Sequence, residues 1–481
     1  MPTPLVQRLL RLALATTATA GVIASLAVPA GAHGDGHDDS RAAAAREAYL
    51  DGTSIPALMS PNVSWVGNSP DIAAISGCFA KSAPFFYVSS LKAISVYDTS
   101  DPQHPRLAGV VDNVVFENEA MNCGERRLGQ AVERFVLVGN DLASASSTDI
   151  AHASGSVGGD ELVLVDVTDP ARPYVRSRTS ATTGTHTVAC VVDTDCRYAY
   201  SSGGGRGAAG RFSIFDLTDP DHPVEVDSDP ATTGTQPFAS PAAGHKWNFD
   251  EAGFATHTGW SGSAVFDVRD PARPRLTTTT GRAGDSAAEG AATGYNNFIH
   301  HNSFRPNAAA FRPDAPPSLA NGNILLVTEE DYEQVDCAQA GSFQTWHVRR
   351  LDGTPDAIVP LDKVELADLG SYPVPVGAFC SAHWFDYHPS GIVSVGFYGG
   401  GLQLVDVRDP QDIKPFGHAL WGGSEVWDAY WVPVHNQNGT AIGKRTNIVY
   451  TVDLVRGLDV YTVALPGQET STGGFGLTRL P

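Results

Sequence analysis

The amino-acid sequence predicts an all-β fold, a β-propeller of about seven four-stranded blades around a central channel. The prediction rests on a short phrase that occurs five times, on the spacing of its copies and on the apolar strand that follows most copies. Each copy alternates apolar and β-branched residues and ends in Asp-Pro, whose proline lacks a backbone donor and ends the strand. The five copies are Ile94–Pro102, Leu162–Pro170, Phe212–Pro220, Ser263–Pro271 and Leu402–Pro410.

The spacing of the copies predicts the number of blades. Successive central aspartates lie 68, 50, 51 and 139 residues apart, and a degenerate copy at Gly457–Tyr461 follows after 53 more. Repeats of roughly 40–50 residues with four strands each are typical of β-propeller blades. The longest interval has room for two repeats, so one blade without the phrase is expected, starting near Phe298. Together these repeats give about seven blades.

The repeated phrase resembles the LVIVP repeat, which has a strand followed by Asp-x-[Ser/Thr]-Asp-Pro-x-x-Pro. The likeness extends from about Cys78 to Leu465 and so covers most of the chain. It implies an extracellular β-propeller protein. Since that family has no single established activity, the resemblance implies no catalytic residues.

The N-terminal segment has the features of a secretory signal peptide. Arg8 and Arg11 precede an apolar run from Leu12 to Val28, and small residues follow up to Ala32. This pattern predicts cleavage near Ala32 and release of a secreted, extracellular protein. A membrane anchor is the alternative, but the apolar run is short and contains several threonines.

The chain is therefore expected to have three parts. Residues 1–32 form the signal peptide, residues 33–60 a flexible acidic leader with little apolar surface, and residues 61–481 a single propeller domain. The segment Asn62–Gly67 precedes the first blade. It is expected to supply the outermost strand of the last blade and thereby close the ring.

The charge of the chain restricts its partners. A formal net charge of −21 at pH 7 repels nucleic acid and anionic membrane surfaces, and no basic run offsets it. The expected partner is a protein, a glycan or a small-molecule ligand, with no nucleic acid and no membrane insertion.

The six cysteines of a secreted chain are expected to pair as disulfides. Cys190 and Cys196 form the clearest pair, because the polar Asp193–Asp195 can turn between two strands. Fifteen connectivities are formally possible for six cysteines. The nearest remaining pairs along the sequence are Cys78–Cys123 and Cys337–Cys380.

Histidines recur where the innermost strands of the blades are expected to begin. These starts lie near Glu119, His186, His245, His300, His383 and Glu425, so four of six are histidine in a chain with 15 histidines. Such side chains are expected to surround one mouth of the channel, together with residues from the ends of the second strands. The candidate metal ligands are His186, His245, His257, His300, His301, His383, Glu329 and Glu330.

This histidine pattern supports two interpretations. Neutral imidazoles that converge with carboxylates can bind a divalent transition metal such as zinc, copper, iron or nickel. Alternatively, repeated blades place the same residue at the same position for packing alone. Nearby aromatic residues are expected to form the walls of a ligand site. They are Trp247, Trp260, Trp384, Trp427 and Tyr398.

Two classes of function follow from these observations. The first is a secreted binding or interaction propeller with a histidine-rich ligand or metal site at one mouth of its channel. The alternative is a metal-dependent extracellular oxidase or hydrolase that uses the same histidines. The sequence contains none of the Gly-x-Ser-x-Gly, His-Glu-x-x-His or phosphate-binding glycine motifs of common enzymes.

Overall fold

The computed structural model describes residues 58–467, apart from residues 71, 91–92, 113–118, 120, 141–159, 204–209, 281–297, 332–336, 338–339 and 371–378. It is a β-propeller with seven blades, each built on a four-stranded antiparallel sheet, which confirms the predicted fold. The predicted signal peptide and most of the predicted leader lie outside the described residues. Among the described residues, no helix is long and apolar enough to span a membrane.

The first two strands pair with the end of the chain, and the blades then follow in sequence order. These two strands are β1 (Leu58–Met59) and β2 (Val63–Ser69). Blade 1 contains β3 (Ala74–Phe79), β4 (Phe85–Ser90), β5 (Ala93–Asp98) and β6 (Arg106–Asp112). Blade 2 contains β7 (Asn122–Leu128), β8 (Ala131–Asn140), β9 (Glu161–Asp166) and β10 (Tyr174–Ser180).

Blade 3 has a small additional sheet, in which β13 pairs with β16. Blade 3 and this sheet contain β11 (Thr187–Cys190), β12 (Tyr198–Ser202), β13 (Arg211–Phe212), β14 (Ile214–Asp216), β15 (Val224–Glu225) and β16 (Phe238–Ala239). Blade 4 contains β17 (Gly244–Phe249), β18 (Phe254–Gly259), β19 (Gly262–Asp267) and β20 (Arg275–Thr279).

Blade 5 is the expected blade without the repeated phrase. It contains β21 (Ile299–Phe304), β22 (Ile324–Glu330), β23 (Phe343–Val348) and β24 (Ile358–Val364). Blade 6 contains β25 (Phe385–His388), β26 (Ile392–Gly396), β27 (Leu402–Asp406) and β28 (Lys414–Leu420). Blade 7 contains β29 (Val426–His435), β30 (Ala441–Asp453) and β31 (Gly457–Val463). The short helical segments are 3₁₀ turns at Asp193–Asp195, Ala308–Ala310 and Leu319–Asn321, and α1 (Leu366–Leu369).

The repeated Asp-Pro phrase forms the end of the third strand and the turn to the fourth. In all five copies the carboxylate of the central aspartate accepts a hydrogen bond from the backbone N–H two residues later, at 2.8–3.2 Å. The aspartate before the proline does the same for the N–H two residues beyond it, at 3.0–3.2 Å. These paired Asx turns end one strand and direct the chain into the outermost strand.

The hydrophobic core lies between the blades. The described residues form seven buried apolar clusters, one at each interface between neighbouring blades. In β9, for example, Val163 and Val165 pack toward blade 1, whereas Leu162 and Leu164 pack toward blade 3. Because successive strand residues point to opposite faces, a strand buried on both faces must be apolar throughout.

The ring is closed by the beginning of the chain. Strand β2 pairs antiparallel with β31, with Val63 opposite Val463, and becomes the outermost strand of blade 7 as predicted. Strand β1 adds a fifth strand to blade 6 through pairing of Leu58 with Leu420. The sheet therefore begins inside the segment predicted as leader, because Leu58 and Met59 pair their backbone with β28 and Met59 is partly buried.

All six cysteines are paired. Cys78–Cys123 joins the innermost strands of blades 1 and 2, with Cα atoms 5.8 Å apart. Cys190–Cys196 spans the start of the β11–β12 connection, at 5.5 Å, with the 3₁₀ turn Asp193–Asp195 inside the loop. Cys337–Cys380 links the β22–β23 connection of blade 5 to the segment that precedes blade 6, with Cα atoms 5.4 Å apart. The structure thus confirms the predicted Cys190–Cys196 pair and joins the other four cysteines as the nearest pairs along the sequence.

We expect two of the three disulfides, Cys78–Cys123 and Cys190–Cys196, to contribute unequally to stability. Loop-closure entropy predicts a loss of about 4 kcal/mol on removing Cys78–Cys123, which spans 45 residues, and of about 2 kcal/mol on removing Cys190–Cys196, which spans 6. Urea unfolding of the two double Cys→Ala variants measures these losses. Equal losses would show that packing around the cross-links, rather than loop length, sets their contribution.

Candidate metal centre

Irregular strand pairing directs two histidines into the channel. The innermost strands of four blades, β3, β17, β21 and β29, each carry one extra residue near their start, where the pairing register shifts. A β-bulge of this kind re-aims the side chain of the extra residue. In blades 4 and 5 the extra residues are His245 and His301, and both rings lie at the axis. His300, directly before the bulge, is paired opposite Glu329 and faces the space between blades.

Four imidazoles converge on one carboxylate, that of Glu119, which lies just before β7. Its Oε1 is 2.6 Å from Nε2 of His301 and 2.8 Å from Nε2 of His383. Its Oε2 contacts Nε2 of His186 and lies 3.5 Å from Nε2 of His245. All five side chains are buried, with at most 1% of each residue exposed. We call these residues, together with Glu330, the axial cluster.

Glu330 provides a second carboxylate at the end of β22. Its Oε2 lies 3.5 Å from Nε2 of His301, and its Oε1 lies 4.0 Å from Nε2 of His383. The hydroxyl of Tyr398 donates a hydrogen bond to Oε1 at 2.5 Å. Two overlapping sets of side chains, Glu119 with His245 and His301, and His301 with Glu330 and His383, have ligand atoms within 4.8 Å of one another. Each set is compact enough to hold a metal ion.

Burial favours the neutral form of the cluster histidines. Burial lowers the pKa of His245 to about 4, against the opposing effect of Glu119, and burial also lowers the pKa of His301 well below its usual range. Nδ1 of His383 lies 2.8 Å from the backbone carbonyl of Trp427, which can only accept, so Nδ1 carries the hydrogen. Nε2 of a neutral His383 then faces a carboxylate oxygen. Such an arrangement is stable only with a proton or a metal ion between the atoms.

Two predicted histidine ligands, His257 and His300, lie outside the axial cluster, between blades. Nε2 of His257 is 2.8 Å from Oγ of Ser202, and its ring stacks on Trp247 at 4.0 Å. Nδ1 of His300 is 2.9 Å from Oγ of Ser263. Both histidines are satisfied by serine hydroxyls and contribute to packing, which is the alternative that the sequence left open.

Glu329 also belongs to the structural scaffold. Its carboxylate accepts hydrogen bonds from the backbone N–H of Phe298 at 2.7 Å and from the side-chain amide of Gln344 at 3.0 Å. Burial raises the pKa of Glu329 to about 8. Adjacent residues of a strand point to opposite faces, so Glu330 faces the axis whereas Glu329 holds two neighbouring segments together.

The predicted aromatic residues divide in the same way. Trp384 lies against the ring of His301, with centroids 4.3 Å apart, and the rings of Tyr398 and Trp427 lie 4.5 and 5.2 Å from that of His383. Trp247 packs in the core between blades 3 and 4, and Trp260 packs against Phe298. Only the first three therefore border the axial cluster.

A cavity lies beside the cluster. It has a volume of about 240 Å³ and is bordered by Glu119 and Trp384, with Lys246 and Asp428 on its wall. Burial lowers the pKa of Lys246 to about 8 and raises that of Asp428 to about 7. Sequence reasoning placed Glu119 at the start of an innermost strand but did not assign it as a ligand, and it did not identify Lys246. The repeat could have indicated both residues, because Glu119 lies at an expected strand start and Lys246 directly follows His245, which lies at another.

Comparisons with known proteins support no closer assignment. No protein-family model and no curated protein matches the chain. A similar solved structure is the β-propeller domain of Myceliophteria thermophila Cps50 (Swd1), with 11% identity and a TM-score of 0.49 over 84% of this chain and 100% of that chain. A functionally unknown protein from Desulfotomaculum acetoxidans has 11% identity and a TM-score of 0.45 over 72% of this chain and 86% of its own. Neither likeness bears on the site.

We expect His257 to make the protein sensitive to acid. Burial holds its pKa well below 6.5 in the folded state, so the unfolded chain binds a proton that the folded chain excludes. Its contribution is present above pH 6.5 and is lost as the pH falls toward the folded pKa. Between these two pKa values, one such group changes the free energy of unfolding by about 1.4 kcal/mol per pH unit.

Urea unfolding between about pH 7 and about pH 5 tests this expectation. The free energy of unfolding of the His257→Gln variant should fall less steeply with decreasing pH than that of the native protein. The difference in slope should correspond to the uptake of one proton on unfolding. Parallel curves for the two proteins would show that His257 is protonated in the folded state.

Proposed function

We propose that this protein is a propeller that binds one divalent transition-metal ion in its channel. His245, His301 and His383 supply Nε2 ligands, and Glu119 and Glu330 supply carboxylate oxygens. The observation that carries the proposal is the convergence of four imidazole Nε2 atoms on the buried carboxylate of Glu119. A mixed imidazole and carboxylate set suits zinc, copper, iron or nickel.

The donor atoms also have the supporting contacts that metal ligands use. His383 donates from Nδ1 to the carbonyl of Trp427, which fixes the ring and leaves Nε2 directed at the centre. Tyr398 holds Glu330 in the same manner. Without a metal ion, a hydrogen atom would have to lie between each close pair of imidazole nitrogen and carboxylate oxygen atoms. A cation held by either compact set would bridge the three ligand atoms of that set.

Elemental analysis of the purified, metal-loaded protein tests the proposal, with His301→Ala as the informative variant. His301 belongs to both compact sets of ligand atoms, so its removal should lower metal affinity by at least about tenfold, as loss even of a ligand's supporting partner does. The matched control is His300→Gln, which changes the neighbouring histidine outside the cluster and should keep the metal.

Circular dichroism and urea unfolding of both variants separate loss of metal from loss of folding. Native protein that takes up no stoichiometric metal after loading would overturn the proposal. Equal metal content in a folded His301→Ala variant would also overturn it.

We further infer that the protein is secreted and acts outside the cell. Three disulfides are typical of extracellular proteins. The signal-peptide pattern ending near Ala32 and the resemblance to LVIVP repeats support the same location. The partner of such a binding propeller would be a protein, a glycan or a small molecule.

A metal-dependent extracellular enzyme, an oxidase or hydrolase, is the second candidate. The observation that favours it is the cavity bordered by Glu119, since a substrate of a metal enzyme must bind close to the metal. Catalytic metal sites keep an open coordination position, whereas structural sites are closed.

Azide titration of the copper-loaded protein distinguishes these two roles. An open position predicts that azide shifts the ligand-field absorption of the bound metal, because the anion enters the first coordination shell. The copper-loaded His300→Gln variant should behave in the same way as the native protein. A spectrum that azide leaves unchanged would favour a closed site and a binding or structural role.

A further inference from the structure

The two oxygens of the Glu119 carboxylate contact different pairs of histidines. Oε1 lies 2.6 Å from Nε2 of His301 and 2.8 Å from Nε2 of His383. Oε2 contacts Nε2 of His186 and lies 3.5 Å from Nε2 of His245. Each oxygen of a carboxylate can bind its own metal ion. A carboxylate with two imidazoles on either oxygen therefore has the form of a bridge in a two-metal site.

Each pair of histidines comes from two neighbouring blades. His186 precedes β11 in blade 3 and His245 lies in β17 of blade 4, and their rings meet edge to face with centroids 4.9 Å apart. His301 lies in β21 of blade 5 and His383 precedes β25 in blade 6, with ring centroids 4.1 Å apart. Two neighbouring blades therefore supply each oxygen of Glu119 with two imidazole nitrogen atoms.

Glu330 makes the two sets of ligand atoms unequal. Its carboxylate approaches Nε2 of His301 at 3.5 Å and Nε2 of His383 at 4.0 Å. With Oε1 of Glu119, this set has four ligands, the number in a closed tetrahedral site. The set that contains Oε2 has three, namely two imidazoles and one carboxylate. Some catalytic zinc sites have these three protein ligands and keep the fourth position open.

One contact in each set is longer than a hydrogen bond. Nε2 of His245 lies 3.5 Å from Oε2 of Glu119. In the other set, the same distance separates Nε2 of His301 from Oε2 of Glu330. Hydrogen bonds from N–H to oxygen span about 2.7–3.2 Å. Two ligand atoms that each lie about 2.1 Å from a tetrahedral ion are about 3.4 Å apart. Both contacts therefore fit atoms that share a metal ion.

We infer that the axial cluster holds a second divalent transition-metal ion, bound by His186, His245 and Oε2 of Glu119. The second ion presupposes the first, so the inference rests on the proposed function. His245 passes from the first ion to the second, and the carboxylate of Glu119 bridges the two ions. The first ion keeps the remaining ligands of the axial cluster, which are Oε1 of Glu119, His301, His383 and Glu330.

The number of bound ions is the first test. The purified protein is loaded with copper(II), unbound copper is removed, and elemental analysis should find two copper ions per chain. His186→Gln should bind one, because it removes a ligand of the second ion alone. The matched control is His300→Gln, which changes a buried histidine that contacts Ser263 outside the cluster and should still bind two. Circular dichroism and urea unfolding show whether each variant folds.

Electron paramagnetic resonance of the copper-loaded native protein tests the bridge and needs no variant. The ions of two-metal sites lie about 3.5–4 Å apart, so their unpaired electrons interact. Native protein with two copper ions should therefore give a spin-coupled spectrum, whereas His186→Gln should give the spectrum of an isolated copper ion. Two copper ions with an uncoupled spectrum in native protein would overturn the inference, because Glu119 then bridges no pair of ions.

The copper content of native protein also separates the second ion from the first. A single copper ion per chain overturns the second site and leaves the proposed function intact. Native protein that binds no copper overturns both. Two copper ions in a folded His186→Gln variant overturn the second site alone, because the second ion is then bound elsewhere on the protein.

Discussion

The burial of one carboxylate among four imidazoles is the interaction on which the centre of this molecule depends. In a propeller each blade packs on its two neighbours, and only the axis brings together blades that are not neighbours. Here Glu119 comes from the segment before blade 2, and its histidine partners come from blades 3 to 6. The axial cluster therefore joins five consecutive blades through polar contacts, where apolar packing alone would leave an open channel.

The same contacts explain why the site needs the bulged strands. A regular strand would place consecutive histidines on opposite faces, so a histidine pair such as His300 and His301 would be split between two interfaces. The extra residue in β21 separates these roles: His300 remains in the ladder, and His301 is free to point along the axis. The corresponding extra residue in β17 does the same for His245. In blades 4 and 5 the irregular strand pairing therefore positions the axial histidine.

The fold was predictable from sequence because its signals are local and repeated. The Asp-Pro phrase forms its own hydrogen-bonded turn, and Val163 to Val165 are apolar because both faces of their strand are covered. The axial site was only partly predictable. The histidine starts were visible, but which of His300 and His301 faces the channel depends on a register shift that leaves no mark in the residue types. The role of Glu119 depends on convergence across the ring, which periodicity within one blade cannot reveal.

Closure of the ring by β2 has a consequence for how the protein folds during its synthesis. The chain emerges from the ribosome with Val63 first and its partner Val463 almost last, so this strand must wait without its ladder while six blades are made. An unpaired apolar strand edge can associate with other chains, and contacts so distant in sequence form slowly. Completion of the propeller is thus a late event, and the interval before it is the period in which a nascent chain most needs protection from aggregation.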